Sequence, residues 1–248
     1  VPEFSVPDGS RLLLEGEPLI SGVTVVDFSE RVSMRVVAED NSSTNYNINL
    51  VTDFPGLDFD IRNTMANYNI PGMQLAIVKD EMLIYSQSYG LADVEQNLPV
   101  TPQSLFRVAS VSKPVTAMAI FKLAETNQLN LDDKVFGTGA ILGNIFGTKP
   151  YSDEVQQITV RHLLEHTSGW INIPYDPMFN NLGLSKSDLI TDMLDNRPLS
   201  STPGSNFHYL NFGYFLLGRV IEEVSGLRYD RYVKENILAP MKITGMDI

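Results

Sequence analysis

Phe106-Arg107-Val108-Ala109-Ser110-Val111-Ser112-Lys113-Pro114 is the stretch on which the fold of this chain turns. Ser110 and Lys113 stand three residues apart, nearly one helical turn, so their side chains share a face. Pro114 falls in the first turn of the helix that follows, where a missing N–H costs little. Val115, Met118, Ala119 and Leu123 carry an apolar face onward to about Asn127. Ala117, Ile120 and Phe121 occupy the other faces, which predicts a helix buried inside a domain. A serine hydroxyl is a poor nucleophile until a neighbour takes its proton. A lysine one turn away can be that neighbour, or can lower the cost of charging another base. Ser-x-x-Lys occurs once in the chain.

Outward from this helix the chain divides by pattern. Residues 1–52 read as β structure. Val32, Met34 and Val36 alternate with Arg31, Ser33 and Arg35, and Tyr46, Ile48 and Leu50 alternate with Asn45, Asn47 and Asn49. Glu39-Asp40-Asn41-Ser42-Ser43 between them is turn chemistry, which predicts a hairpin. Gly16 and Gly22 flank a further short segment around Leu19 and Ile20. Asp53-Phe54-Pro55-Gly56 punctuates the chain and is taken as the boundary to a second domain over 53–248. There Leu57, Ile61, Met65 and Tyr68 repeat at helical spacing up to Pro71-Gly72. Met73 to Val78 and Met82 to Tyr89 make a second hairpin around Lys79-Asp80. Further helices are predicted from Val160 to His166 with Thr159 as N-cap, from Ser185 to about Leu194, from Asn211 to Val224, and from Tyr229 to Leu238.

Composition narrows the function classes. The 248 residues carry a net charge of −12, spread along the chain, which argues against a nucleic-acid or anionic-membrane partner. With no cysteine, thiolate catalysis, disulfides and Cys-ligated zinc are excluded. No apolar run approaches membrane-spanning length. Val1-Pro2-Glu3-Phe4 does not resemble a native N-terminus, so the chain reads as beginning inside a longer precursor.

A second motif joins the first. Pro203-Gly204-Ser205-Asn206-Phe207-His208-Tyr209-Leu210-Asn211 holds the only Tyr-x-Asn in the chain and feeds the helix from Phe212. A third segment is Ile158-Thr159-Val160-Arg161-His162-Leu163-Leu164-Glu165-His166-Thr167-Ser168-Gly169. Together these motifs resemble the serine β-lactamase and penicillin-binding-protein superfamily, and more narrowly its class C β-lactamase-like branch, with D-aminopeptidase, D,D-carboxypeptidase and family VIII esterase relatives. Ile70-Pro71-Gly72, Leu131-Asp132-Asp133, Gly213-Tyr214 and Leu216-Leu217-Gly218 also fit, and the likeness runs from about residue 57 to 248.

The resemblance implies an α+β fold of the β-lactamase/transpeptidase type, a helical subdomain with an antiparallel sheet. It implies a serine hydrolase without metal or cofactor, acting on a small-molecule or peptide ester or amide. Ser110 would form the acyl-enzyme, and Lys113 would hold positive charge beside it. Tyr209 would be the base, and the backbone N–H of Ser110 would be one oxyanion donor. Asn211 would orient Lys113 and bind substrate, and would also suit the N-cap of its helix. Trp170 and the segment Ile171-Asn172-Ile173-Pro174-Tyr175 would line the pocket mouth. Esterase or peptidase activity is favoured over true β-lactamase activity.

The family's third motif, Lys-Thr-Gly or His-x-Gly on a strand, is not found. Lys242-Ile243-Thr244-Gly245 has one residue too many and follows Ala239-Pro240-Met241, so it is rejected. The chain is therefore expected to be the N-terminal portion of its domain, with the C-terminal strands supplied by the remainder, cut away or separate. The family's envelope habit, with a partial immunoglobulin-like β module or spacer over 1–52, suggests a secreted or periplasmic protein.

Two readings compete. His162-Leu163-Leu164-Glu165-His166 matches H-x-x-E-H, in which two histidines chelate zinc and a glutamate acts as base, with Glu222 or Glu223 as third ligand. The chain could instead be a sensor or decayed module that binds acyl groups without turnover.

Overall fold

The computed structural model describes residues 6–22, 24, 26, 32–48, 54, 56–180 and 183–247. Arg31, Asn49, Leu50, Asp53 and Pro55, used above for the first hairpin and the boundary, lie outside the described residues. Helices and antiparallel strands both occur, as an α+β fold requires. The chain forms two compact units, Val1–Ser104 and Leu105–Ile248.

The first unit opens with an antiparallel sheet in the order β2-β1-β3-β4: β1 Arg11–Leu14, β2 Glu17–Pro18, β3 Val32–Val37 and β4 Ser43–Ile48. Val32 and Met34 are buried while Ser33 and Arg35 are exposed, as alternation predicts, although at the strand end Val37 is buried and Val36 only partly so. Leu12 and Leu19 complete this small core. The β3–β4 turn is closed by Asp40, whose carboxylate accepts from the Ser42 N–H at 2.8 Å, with Asn41 in the left-handed region.

Helix α1, Leu57–Tyr68, precedes a second sheet of β5 Gly72–Lys79, β6 Met82–Asp93 and β7 Leu98–Pro99. Asp80 and Glu81 both take positive φ, which gives the tight β5–β6 turn its twist. Gly90 is required by its surroundings: φ is +69°, and a Cβ there would sit 2.1 Å from the Pro71 carbonyl oxygen. Asp58 of α1 accepts hydrogen bonds from Tyr85 at 2.9 Å and Tyr89 at 2.5 Å, both buried tyrosines of β6. The two hydroxyl oxygens also lie against each other, and Phe54 meets the Tyr85 ring edge-on.

The second unit is helical. A 3₁₀ turn at Ala109–Val111 leads into α2, Ser112–Glu125. Then come α3 Val160–Leu164, α4 Pro177–Asn180, α5 Lys186–Asn196, α6 Asn211–Ser225 and α7 Tyr229–Val233. The last helix widens into a π turn over Lys234–Leu238 instead of staying α-helical to its end. Ala119, Ile120 and Leu123 of α2 meet Phe212, Leu216, Leu217, Val220 and Ile221 of α6 in one core. The α6 residues recur at 3–4-residue spacing, so one stripe of that helix is fully buried. Caps appear where the sequence placed them: the Ser185 hydroxyl accepts from the Asp188 N–H at 3.1 Å, and Thr159 caps α3.

Two local expectations change, and a third holds. Helix α3 ends at Leu164, and His166 beyond it turns left-handed at φ 58°. Asn211 is the first residue of α6 and not its cap; Leu210 holds the cap position and makes no side-chain cap bond. Lys242-Ile243-Thr244-Gly245 forms no strand; Lys242 takes φ 58°, and the Ile243 N–H returns to the Leu238 carbonyl.

Candidate active site

Ser110 sits in the 3₁₀ turn, two residues ahead of the start of α2, and is exposed. Ala109 before it is held at φ 43°, a left-handed geometry that costs an L residue about 1–2 kcal/mol. The ammonium of Lys113, the second residue of α2, donates to Ser110 Oγ at 3.0 Å and to Asn211 Oδ1 at 2.6 Å. Ser110 Oγ and Tyr209 Oη are 2.5 Å apart. Lys113 Nζ also lies 4.7 Å from the centre of the Tyr209 ring and 5.6 Å from that of Tyr214. The structure thus brings together Ser110, Lys113, Tyr209 and Asn211, although nearly 100 residues separate the two pairs.

The phenol of Tyr209 is held below its ordinary pKa, first by hydrogen bonding to the Lys113 ammonium and then by that to Ser110. Because Lys113 has only donors to offer, Ser110 Oγ must accept from it. The serine proton is then free to point at Tyr209 Oη.

The loop carrying Tyr209 is tied down by the segment after α3. The His166 carbonyl accepts from the His208 N–H at 2.8 Å, and His166 Nδ1 accepts from the Leu210 N–H at 3.1 Å. The imidazole lies against the rings of Tyr209 and Tyr214, with centroids 4.6 and 5.0 Å away. Burial lowers the His166 pKa and the Lys113 charge adds to it, and acceptance at Nδ1 places the neutral ring's proton on Nε2. Asn172 Nδ2 donates to the Tyr209 carbonyl at 2.9 Å. Gly169, at φ +95°, leaves no room for a side chain: a Cβ would lie 2.3 Å from the Ser201 carbonyl oxygen.

Trp170 is placed in the core and not at the pocket mouth. It is 1% exposed, packs edge-on to Phe136 and Phe212, and its indole N–H donates to the Arg197 carbonyl at 2.9 Å. Asp176, which sequence reasoning missed, does reach the constellation: its Oδ2 accepts from Asn211 Nδ2 at 2.8 Å. The only sequence signal was its place one residue beyond the Ile171–Tyr175 segment.

The zinc reading fails on geometry. His162 Nδ1 accepts from the Thr159 N–H at 3.2 Å in a capping box, and His166 Nδ1 is taken by Leu210. The left-handed turn at His166 also removes the shared helical face on which i, i+4 chelation depends. Glu165 is exposed, and Glu222 Oε1 accepts from the Tyr229 N–H. Among the described residues no group of three or more His, Asp or Glu converges to hold a metal.

A serine hydroxyl in contact with a lysine and a tyrosine, with no histidine between them, is placed where a neighbour can take its proton. Residues 57–248 match the Beta-lactamase family, and the chain belongs to that family, within the serine β-lactamase and penicillin-binding-protein superfamily. Protein flp of Staphylococcus aureus (strain NCTC 8325 / PS 47) is 31% identical over 192 residues, which cover 76% of this chain and 37% of that protein. The octameric penicillin-binding protein homologue from Pyrococcus abyssi superposes with a TM-score of 0.64 at 35% identity, over 75% of this chain and 42% of that one. EstCE1, a hydrolase with promiscuous acyltransferase activity, gives a TM-score of 0.60 at 28% identity, over 73% and 49%. The chain therefore spans less than half the length of these relatives. The family supports a serine-hydrolase type of function.

Proposed function

We propose that this chain carries the nucleophilic part of a serine hydrolase that opens an ester or amide through an acyl-enzyme on Ser110. The observation that carries the reading is the contact of Ser110 Oγ with Tyr209 Oη at 2.5 Å, beside a lysine that donates to Ser110. In acylation, Ser110 Oγ bonds to the substrate carbonyl carbon while its proton passes to Tyr209. The lowered phenol pKa makes the deprotonated form of Tyr209 accessible nearer neutral pH. The carbonyl oxygen gains the negative charge, for which the Ser110 backbone N–H is one donor. When the tetrahedral intermediate collapses, the carbon–leaving-group bond breaks and Tyr209 returns the proton to the leaving group. Tyr209 then takes a proton from water, which attacks the acyl carbon and releases the acid. Ser110 regains its hydrogen from Tyr209.

Short-chain esters and D-amino acid peptides or amides are the favoured substrates, ahead of β-lactams. The second oxyanion donor would come from the remainder of the domain, in the same polypeptide or a separate one. Apolar surface in both units supports this. Val78, Met82 and Leu83 are exposed on the β5–β6 hairpin. On α2, Met118 and Phe121 line an open groove of about 680 Å³ with Ile237, Pro240 and Met241. Export to the envelope or medium is part of the same proposal.

The test is intact-mass spectrometry of the full-length protein treated with a fluorophosphonate, followed by turnover of a p-nitrophenyl ester, a D-amino acid p-nitroanilide and a chromogenic cephalosporin. One adduct on Ser110, absent from Ser110→Ala, together with ester or D-peptide turnover, is the expected result. Labelling that survives in Ser110→Ala would overturn the assignment. Ser110-dependent labelling without turnover would favour the acyl-binding sensor.

A further inference from the structure

We infer that Asp176 is a positioning residue for the nucleophile, acting on Ser110 through Asn211 and Lys113. The inference rests on the serine-hydrolase reading above and deepens it. Asp176 belongs to neither sequence motif. It stands at the start of α4, where its Oδ1 accepts from the Met178 N–H at 2.9 Å. Its Oδ2 accepts from Asn211 Nδ2 at 2.8 Å. With one oxygen anchored on each partner, the carboxylate is fixed in direction and bridges the first residues of α4 and α6.

Donor and acceptor rules then propagate along the chain of contacts. An ionised carboxylate only accepts, so the Asn211 amide must turn its NH₂ toward Asp176. That turns Oδ1 toward Lys113, which only donates. Lys113 delivers one N–H to Oδ1 at 2.6 Å and another to Ser110 Oγ at 3.0 Å. Ser110, already accepting, has its own proton for Tyr209 at 2.5 Å. An amide can ordinarily be placed either way round. Here the wrong way would set NH₂ against the ammonium and release Lys113 from its second anchor. Asp176 removes that alternative state. Its part is comparable to that of a carboxylate that orients a catalytic imidazole, although it acts on an amide and a lysine and touches no reacting atom.

An Asp176 that only capped α4 would also matter for stability, so the test must separate the two roles. The rate of Ser110 acylation by a fluorophosphonate is measured in the full-length protein for Asp176→Ala, Asn211→Ala and the double variant. Asp176→Ala is expected to slow acylation by about tenfold or more. In the Asn211→Ala background the same change should alter the rate by less than about twofold, because the path is already cut. Effects that multiply, or an Asp176→Ala rate equal to wild type, would overturn the inference. Should Asp176→Ala fail to fold, Asp176→Asn carries the cycle, since its one oxygen cannot serve both Asn211 and Met178. A wild type that labels no better than Ser110→Ala would overturn the hydrolase reading instead, and the role of Asp176 with it.

Discussion

Two clusters of tyrosine hydroxyls, one in each unit, use the same phenol for opposite ends. Tyr209 is 42% exposed, and its oxygen lies near a lysine and a serine. Tyr85 and Tyr89 are 3% and 4% exposed, and both donate to the carboxylate of Asp58. The cation makes a negative oxygen cheaper, so Tyr209 titrates below its ordinary value. Burial raises the other two, and for Tyr89 the Asp58 carboxylate adds to the rise, so that phenol holds its proton more firmly. The same phenol is therefore made easier or harder to ionise by its burial together with the charge beside it. Hydrogen-bond length alone would not tell them apart, since Tyr209–Ser110 and Tyr89–Asp58 are both 2.5 Å.

The contrast is most exposed to refutation at the two oxygens themselves. Tyr209→Phe should lower Ser110 acylation by about 10²–10⁴-fold, the range for loss of a general base. It should also remove the earliest phenolate phase in an ultraviolet pH titration, whereas Tyr89→Phe should leave both unchanged. Acid separates the units next. All three histidines lie in the second unit, and His162 and His166 have lowered pKa values, with burial the first cause in each. Below pH about 6.5 the unfolded chain takes up these protons before the folded one does, so folded stability falls as pH drops through that range. The slope is at most about 1.4 kcal/mol per pH unit for each histidine. Fluorescence of Trp170, the sole tryptophan, followed against urea should show it, and His166→Gln should flatten it. A midpoint independent of pH between 4 and 6.5 would contradict the assignment, the range itself following from the ordinary histidine value of about 6.5.

Tyr89→Phe should cost the first unit about 1 kcal/mol in a hydrogen–deuterium or urea measurement confined to its strands. A neutral substitution would mean that Asp58 is satisfied by Tyr85 alone. The smallest effect is at Ala109. Glycine there relieves the left-handed strain and pays some chain entropy, so Ala109→Gly should raise the Trp170-detected midpoint by about 0.5–1 kcal/mol. A loss of stability would show that the φ of 43° is not strained in its surroundings.

The parts legible in the sequence were those written in local spacing. Ser110 and Lys113 share a turn, and the α6 stripe from Phe212 to Ile221 follows helical period. The Thr159 and Ser185 caps sit immediately before their helices, and the β3–β4 turn announces itself in Asp40-Asn41-Ser42. What escaped were contacts between distant residues with no period. Asp176 meets Asn211 across 35 positions, and nothing around it marks a carboxylate that orients an amide. Trp170 follows Thr167-Ser168-Gly169 and looks like loop, but Phe136 and Phe212, far off on both sides in sequence, enclose it. The sequence pattern carries helix α3 two residues past its end, since both histidines fit its period. The left-handed turn at His166, which frees the imidazole to hold Leu210, has no compositional cue such as glycine.

The three tethers on the Tyr209 loop have a further consequence. His166 binds the N–H groups of residues 208 and 210, and Asn172 binds the carbonyl of 209 between them. Just upstream of His166, Leu163 is fully buried, and Trp170 follows four residues later; both belong to the helical core. The segment bearing the phenol therefore has little freedom to open on its own. Its exchange with solvent should follow the cooperative unfolding of that core, so the site should lose its shape only when the whole helical unit does.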